Sequence, residues 1–198
     1  MKRIGIFGGT FDPPHIGHTK IAKAALEQFN LSEVRFMTGG IPPHKRNSDI
    51  TPPIKRLEMT RLAVSGEQNM VADDFEVLKK TYSYTAETLT ELKKLHPEWE
   101  IYFIIGEDSL RDFHLWYRPE IIVENCILLV YPRGTDSDIA ELIEKRRKEF
   151  DADIRLIDAQ IFNISSTMIR NGIKAGESMN EFMDEAVREY IKRNGLYL

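Results

Sequence analysis

Residues 3–18 read RIGIFGGTFDPPHIGH, and the fold turns on how that stretch is divided. Lys2 to Phe7 is an apolar run that suits a strand, and a turn rich in glycine and proline follows. Gly17 to Phe29 then places Ile21, Ala22, Ala25, Leu26 and Phe29 on one face of a helix. The unit is therefore strand, turn, helix. Gly8 and Gly9 leave the strand without β-carbons, so a ligand can approach the backbone there. The helix start near Gly17 aims unpaired N–H groups and partial positive charge at the same place. His15 and His18 sit at that start, so the turn reads as an anion site served by imidazoles.

The same alternation continues outward along the chain. Glu33 to Thr38, Asn69 to Asp73, Glu100 to Ile105, Cys126 to Tyr131 and Asp153 to Ile157 read as strands. Helical patterns run from Pro52-Pro53 to Val64, Thr85 to Leu95 and Asp136 to Phe150, with two further pieces after Ser165. Glu100–Ile105 and Cys126–Tyr131 are near-continuous apolar runs, as strands covered on both faces require. The expectation is one α/β domain over residues 1–198, a doubly wound, mostly parallel sheet with helices on both faces. Ligands then bind at the carboxyl ends of the strands, where the strand order reverses. Gly39 to Pro53 cannot continue a helix or a central strand and reads as an active-site loop.

Composition sets limits on partners. The 198 residues are 42% hydrophobic and 29% charged, with a formal net charge of −4. That balance argues against coating nucleic acid or an anionic membrane and leaves small anionic ligands open. No apolar stretch approaches the ~20 residues of a membrane span, and no signal-peptide pattern precedes the first strand. The lone Cys126 reads as a buried, reduced thiol, which suits the cytoplasm. The run Lys145-Arg146-Arg147-Lys148, flanked by acids, reads as the solvated face of a helix.

Other residues carry two readings each. Walker A and GxGxxG patterns are absent, and zinc bound by His15 and His18 lacks a third ligand in a recognised spacing. Ser165-Ser166-Thr167 precedes the helical stretch Met168–Ala175, with Arg170 in its first turn, and is either a second anion site or an ordinary N-cap. Lys45 is a mobile phosphate-binding cation or a solvated loop lysine, with His44 and Arg46 weaker versions of the same choice. Asp108 follows a strand ending in Ile105-Gly106 and meets a ribose hydroxyl or caps a helix. Trp116 and Tyr117 belong to a core or to a ligand platform, Tyr84 likewise. Arg133 lies near a base or on the surface.

The segment Gly9–His18 resembles the signature of the HxGH nucleotidyltransferase superfamily. Pro43-His44-Lys45, Tyr82-Ser83-Tyr84-Thr85, Ile105-Gly106-Glu107-Asp108, Trp116 and Ile164–Arg170 resemble the bacterial nicotinate mononucleotide adenylyltransferases. The resemblance implies a Rossmann-like nucleotidyltransferase fold. It implies adenylyl transfer from ATP to the 5′-phosphate of nicotinate mononucleotide, releasing pyrophosphate, with Mg²⁺ carried by ATP. In that reading His15, His18, Lys45 and Arg170 are catalytic. ATP lies against Gly8, Gly9, Thr10 and Phe11, with Gly106, Asp108 and Arg133 on one side and Ile164, Ser165, Ser166 and Thr167 on the other. The mononucleotide meets Thr10, His44, Lys45, Tyr84, Thr85 and Asp108, while Trp116 stacks on its ring and the main chain around Tyr117 meets its carboxylate. Nucleic acid and membrane are not expected partners, and a homodimer is left open. Phe182-Met183-Asp184-Glu185 departs from the family's proline-containing helix start, and only local repacking is expected from that. Rivals are phosphopantetheine adenylyltransferases, cytidylyltransferases, an enzyme for nicotinamide mononucleotide, and a non-catalytic nucleotide sensor.

Overall fold

The structure, a computed structural model, describes residues 1–40, 50–79, 83–133, 138–160 and 163–198. Six strands, β1 (Lys2–Gly9), β2 (Glu33–Thr38), β3 (Met70–Asp73), β4 (Trp99–Gly106), β5 (Ile127–Tyr131) and β6 (Ile154–Leu156), form one sheet in the order β3-β2-β1-β4-β5-β6. Every neighbouring pair is parallel. The order reverses between β1 and β4, which opens a crevice at their carboxyl ends, Gly9 and Gly106.

Period-two alternation sends side chains to both faces of this sheet. Ile4, Ile6, Ile101, Phe103, Ile105, Leu128 and Val130 share one core. Phe7, Val34, Phe36, Tyr102, Ile104 and Leu129 share the other. Both cores are covered by helices, so the central strands need apolar residues at consecutive positions, as their sequences have.

Helix α1 (Ile16–Phe29) buries Ile21, Ala22 and Ala25 and ends at Asn30, whose φ of 50° is left-handed and whose N–H bonds Leu26 O. Helix α2 (Pro53–Val64) starts on proline, which cannot supply the N–H that the first turn leaves unpaired anyway. Helix α3 (Thr85–Leu95) follows β3. Between β4 and β5 lie three short pieces absent from the sequence reading: α4 (Glu107–Arg111), a 3₁₀ turn at Phe113–Leu115 and α5 (Pro119–Asn125). None is long enough to show a helical period.

Helix α6 (Ile139–Phe150) corrects one reading. Lys145 and Lys148 face water, but Arg146 is only 4% exposed. Its guanidinium donates to Leu110 O at 3.2 Å and Arg111 O at 2.5 Å, carbonyls at the end of α4, where the helical ladder runs out of donors. It also bonds Glu149 and His114 Nδ1. Helices α7 (Ser166–Lys174) and α8 (Glu185–Arg193) pack on α2 through Met59, Ile169, Met183, Val187 and Ile191. Asp184 caps α8 by accepting the Ala186 N–H at 2.8 Å, so the helix starts well without proline. Cys126 is buried, and burial pushes its thiol pKa up.

Candidate active site

The first helix start holds two imidazoles in one fixed arrangement. His15 adopts an extended backbone and its N–H donates to His18 Nδ1 at 3.1 Å. An Nδ1 that accepts carries no proton, so the neutral His18 ring bears its hydrogen on Nε2. The rings stack with centroids 3.7 Å apart, and His18 also meets the edges of Phe7 and Phe11. Burial, with Arg133 adding to it, holds the His15 pKa down to about 4. Burial, His15 and Arg133 push His18 well below the usual imidazole range. In the protein's own field both rings are therefore neutral donors near pH 7. An anion that draws protons onto them must first overcome this environment. Faces stacked in this way do not converge on a metal, and among the described residues no three His, Cys, Asp or Glu side chains form a metal-binding group.

Between β1 and α1 the chain is pinned by buried polar groups. Phe11 is left-handed at φ 49° and lays its ring over Gly9, where a β-carbon would come within 2.7 Å of it. Asp12, 3% exposed, accepts Tyr197 Oη–H at 2.6 Å and Thr51 N–H at 3.2 Å. Arg56 is fully buried and donates to Thr51 O, Thr10 O, Gly39 O and Gly40 O at 2.7–2.9 Å. One guanidinium thus ties the turn to the exit of β2 and the start of α2.

The second helix start is bound to the same turn. Ser165 caps α7 by accepting Met168 N–H at 3.1 Å. Ser166 Oγ donates to Pro13 O at 2.8 Å, and Arg170 Nη1 donates to Asp12 O at 2.8 Å while its Nη2 reaches Thr167 Oγ1. Two consecutive carbonyls therefore lock both helix starts together. Around them lies a cavity of about 1220 Å³ whose lining includes Gly8–Asp12, His15, His18, Arg133, Ser165–Thr167, Arg170 and Lys174. Asp12 is the one acid lining it, among the described residues, against three cations. Such a cleft concentrates polyanions.

A second cavity of about 310 Å³ shares Phe7–Thr10, Ser109 and Tyr131 with the first and continues past Thr85 and Trp116. Trp116 rests against Phe113 and Phe103, with centroids 5.6 and 6.3 Å away. A small recess beside His15, His18 and Arg133 includes Ile164.

Most expected residues thus meet at one crevice, with some differences of place. Gly106 lines the smaller cavity, not the larger one. Asp108 sits in the first turn of α4 with its side chain 68% exposed, lines neither cavity, and pairs with Arg133 at 3.3 Å. The buried acid there is its neighbour Glu107, which accepts from Arg133 N and Arg111. Tyr84 and Tyr117 pack on each other, centroids 4.6 Å apart, outside the lining of either cavity. His44, Lys45 and Arg46 lie outside the described residues. Tyr131, Ser109, Asp12 and Arg56 were missed by the sequence reading. No local pattern marks them, although Tyr131 ends a buried strand at the crevice, where ligand contacts concentrate.

Sheet order, crevice and paired helix starts define an α/β nucleotidyltransferase architecture. The profile of the cytidylyltransferase-like family matches residues 6–172. Proteins of Clostridium kluyveri and Clostridium tetani, each named "Probable nicotinate-nucleotide adenylyltransferase", are 40% identical over the full length of both chains. The chain belongs to the cytidylyltransferase-like family and, within it, to the nicotinate-nucleotide adenylyltransferases. Its fold is also that of the nicotinic acid mononucleotide adenylyltransferase of Plasmodium falciparum. The structure of that enzyme complexed with NaAD superposes with a TM-score of 0.80 at 22% identity, covering 100% of this chain and 98% of the other. The complex with APC gives 0.77 at 20% identity, with the same coverage.

Proposed function

We propose that this chain transfers the adenylyl group of ATP to the 5′-phosphate of nicotinate mononucleotide, forming nicotinate adenine dinucleotide and pyrophosphate, a step of NAD biosynthesis. The observation that carries the reading is that Gly8–Thr10 line both a cationic cavity held by two helix starts and an adjoining aromatic-walled cavity. A phosphate oxygen of the mononucleotide attacks the α-phosphorus in line, its bond forms as the bond to the β-phosphate oxygen breaks, and pyrophosphate leaves with that electron pair. The protein supplies position and charge. His18 Nε2–H and His15 donate to the phosphates without losing protons. Ser165–Thr167 and the N–H groups starting α7 hold the far end of the triphosphate, and Arg170 offsets charge on the leaving pyrophosphate. Trp116 stacks on the pyridine ring and Thr85 meets its carboxylate.

Among the described residues, the acids near the larger cavity do not make a resident metal site. Both Asp12 oxygens are engaged, and Asp108 is paired with Arg133. In this reading Mg²⁺ enters with the substrate as the ATP complex. Residence in the cytoplasm, which the buried Cys126 thiol without a disulfide suits, completes the proposal, and a homodimer stays open to sedimentation. Pyrophosphate release is measured with ATP and each of nicotinate mononucleotide, nicotinamide mononucleotide, phosphopantetheine and glycerol phosphate. Highest kcat/KM with the nicotinate form is expected, and release with none of them would leave only a nucleotide sensor.

A further inference from the structure

Glu76 is the one acid lining the smaller cavity, among the described residues. Its carboxylate accepts Thr88 Oγ1–H at 2.8 Å and the Gly40 N–H. A β-carbon on Gly40 would lie 2.5 Å from Glu76 O and 3.2 Å from Ser83 Oγ, so the exit of β2, the Glu76 turn and the chain before α3 close on one another. Ser83 Oγ is buried there with no hydrogen-bond partner among the described residues.

The charges facing Glu76 are largely committed to others. Lys79 binds Glu91 of α3 at 2.6 Å and lies over the Phe75 ring. Asp73 at the end of β3 binds Arg35 of β2 at 2.6 Å. From β1, β4 and β5 the cavity receives apolar side chains, glycine and the Tyr131 phenol. Burial accordingly raises the Glu76 pKa, with Asp73 adding to the rise and Thr88, Lys79 and Gly40 opposing it.

We propose that Glu76 is a specificity-determining residue that sets the division between the acid and amide forms of the pyridine mononucleotide and makes that division depend on pH. The proposal rests on the adenylyl-transfer reading and extends it. Glu76 lines the same cavity as Thr85 and Trp116, so a ring substituent held there shares that cavity with the Glu76 carboxyl. Two like charges about 8 Å apart, at an effective dielectric of about 20, disfavour binding roughly thirtyfold. Ionised Glu76 imposes this on the carboxylate and not on the uncharged carboxamide. Protonated Glu76 removes the repulsion and offers a donor. The ratio of kcat/KM for the acid over the amide therefore falls as pH rises through the Glu76 titration, on top of the preference that Thr85 provides.

The test is kcat/KM for nicotinate and nicotinamide mononucleotides with saturating magnesium-ATP, read as pyrophosphate release from about pH 4.5 to about 9. The ratio cancels ionisations common to both substrates, including the 5′-phosphate and the histidines. Wild type is expected to show a ratio that falls as pH rises, by about tenfold or more between protonated and ionised Glu76. Glu76→Gln keeps one acceptor oxygen for the Gly40 N–H and can donate its amide N–H to the Thr88 hydroxyl, and its ratio is expected to be flat and above the wild-type ratio at high pH. A flat wild-type ratio with normal turnover, or an unchanged slope in the glutamine variant, overturns the assignment to Glu76 alone. Failure of both mononucleotides as acceptors overturns the parent reading and this one with it. The wild-type profile needs no variant, so a poorly folding glutamine form does not block the test.

Discussion

His18 performs two tasks with two different nitrogens, and side-chain amides can separate them. Nδ1 accepts the His15 N–H at 3.1 Å and so helps start α1, while Nε2 is left to donate. In His18→Asn the side-chain oxygen falls near the Nδ1 position, so the helix start survives but the donor is gone. In His18→Gln the amide nitrogen falls near the Nε2 position, so the donor survives but the bond to His15 is lost. A lost helix-start bond costs about 1 kcal/mol, which in a chain of this size lowers Tm by about 2–4 °C. A lost preorganised donor to transition-state charge costs about 3–4 kcal/mol, or 10²–10³ in kcat. The expected pattern is crossed: the asparagine variant melts close to wild type with kcat down about 10²-fold or more, and the glutamine variant melts lower yet turns over faster than asparagine. Pyrophosphate release and thermal melts measure both. Near-normal kcat in His18→Asn would refute the donor role.

Three further outcomes are expected. His15 titrates at about 4 folded against 6.5 unfolded, so the unfolded chain binds more protons between those values; its contribution is whole above pH 6.5 and lost as pH falls through 4. That amounts to about 3 kcal/mol, and urea denaturation of His15→Gln across this window should show a shallower decline than wild type. Arg56→Met takes the donor from four carbonyls, two of them in buried bonds, and should lower stability by about 3–5 kcal/mol, about 10 °C in Tm; a loss under about 1 kcal/mol by urea denaturation would contradict the Arg56 network. Trp116→Ala should weaken mononucleotide binding about tenfold or more by calorimetry, with ATP affinity nearly unchanged; equal losses would argue against ring stacking.

The parallel sheet was readable because each central strand must be apolar on both faces, which leaves unbroken runs such as Tyr102–Ile105 and Leu128–Val130. The histidine turn was readable because glycine, proline and imidazole have few other reasons to share one strand-to-helix junction. Three-dimensional demands on single residues were not readable. Arg146 in a charged run looks like its neighbours until the carbonyls ending α4 are seen beside it. Asp108 and Glu107 are adjacent acids, and only the path of α4 decides that Glu107 turns inward and Asp108 outward. Arg56 serves carbonyls 5 to 46 residues away in sequence, a spacing no local pattern encodes.

The edge of Gly8, Gly9 and Thr10 along which the two cavities adjoin has a bearing on inhibition. A single molecule bearing a ring head for the Trp116 side and an anionic head for the Arg170 side, joined by a few atoms across those glycines, would dock its second head intramolecularly. At the millimolar effective concentrations typical of short tethers, two weak fragments combine into one tight ligand. Because carbonyl bonds to Ser166 and Arg170 hold the two helix starts at a set spacing, linker length is the variable to tune first.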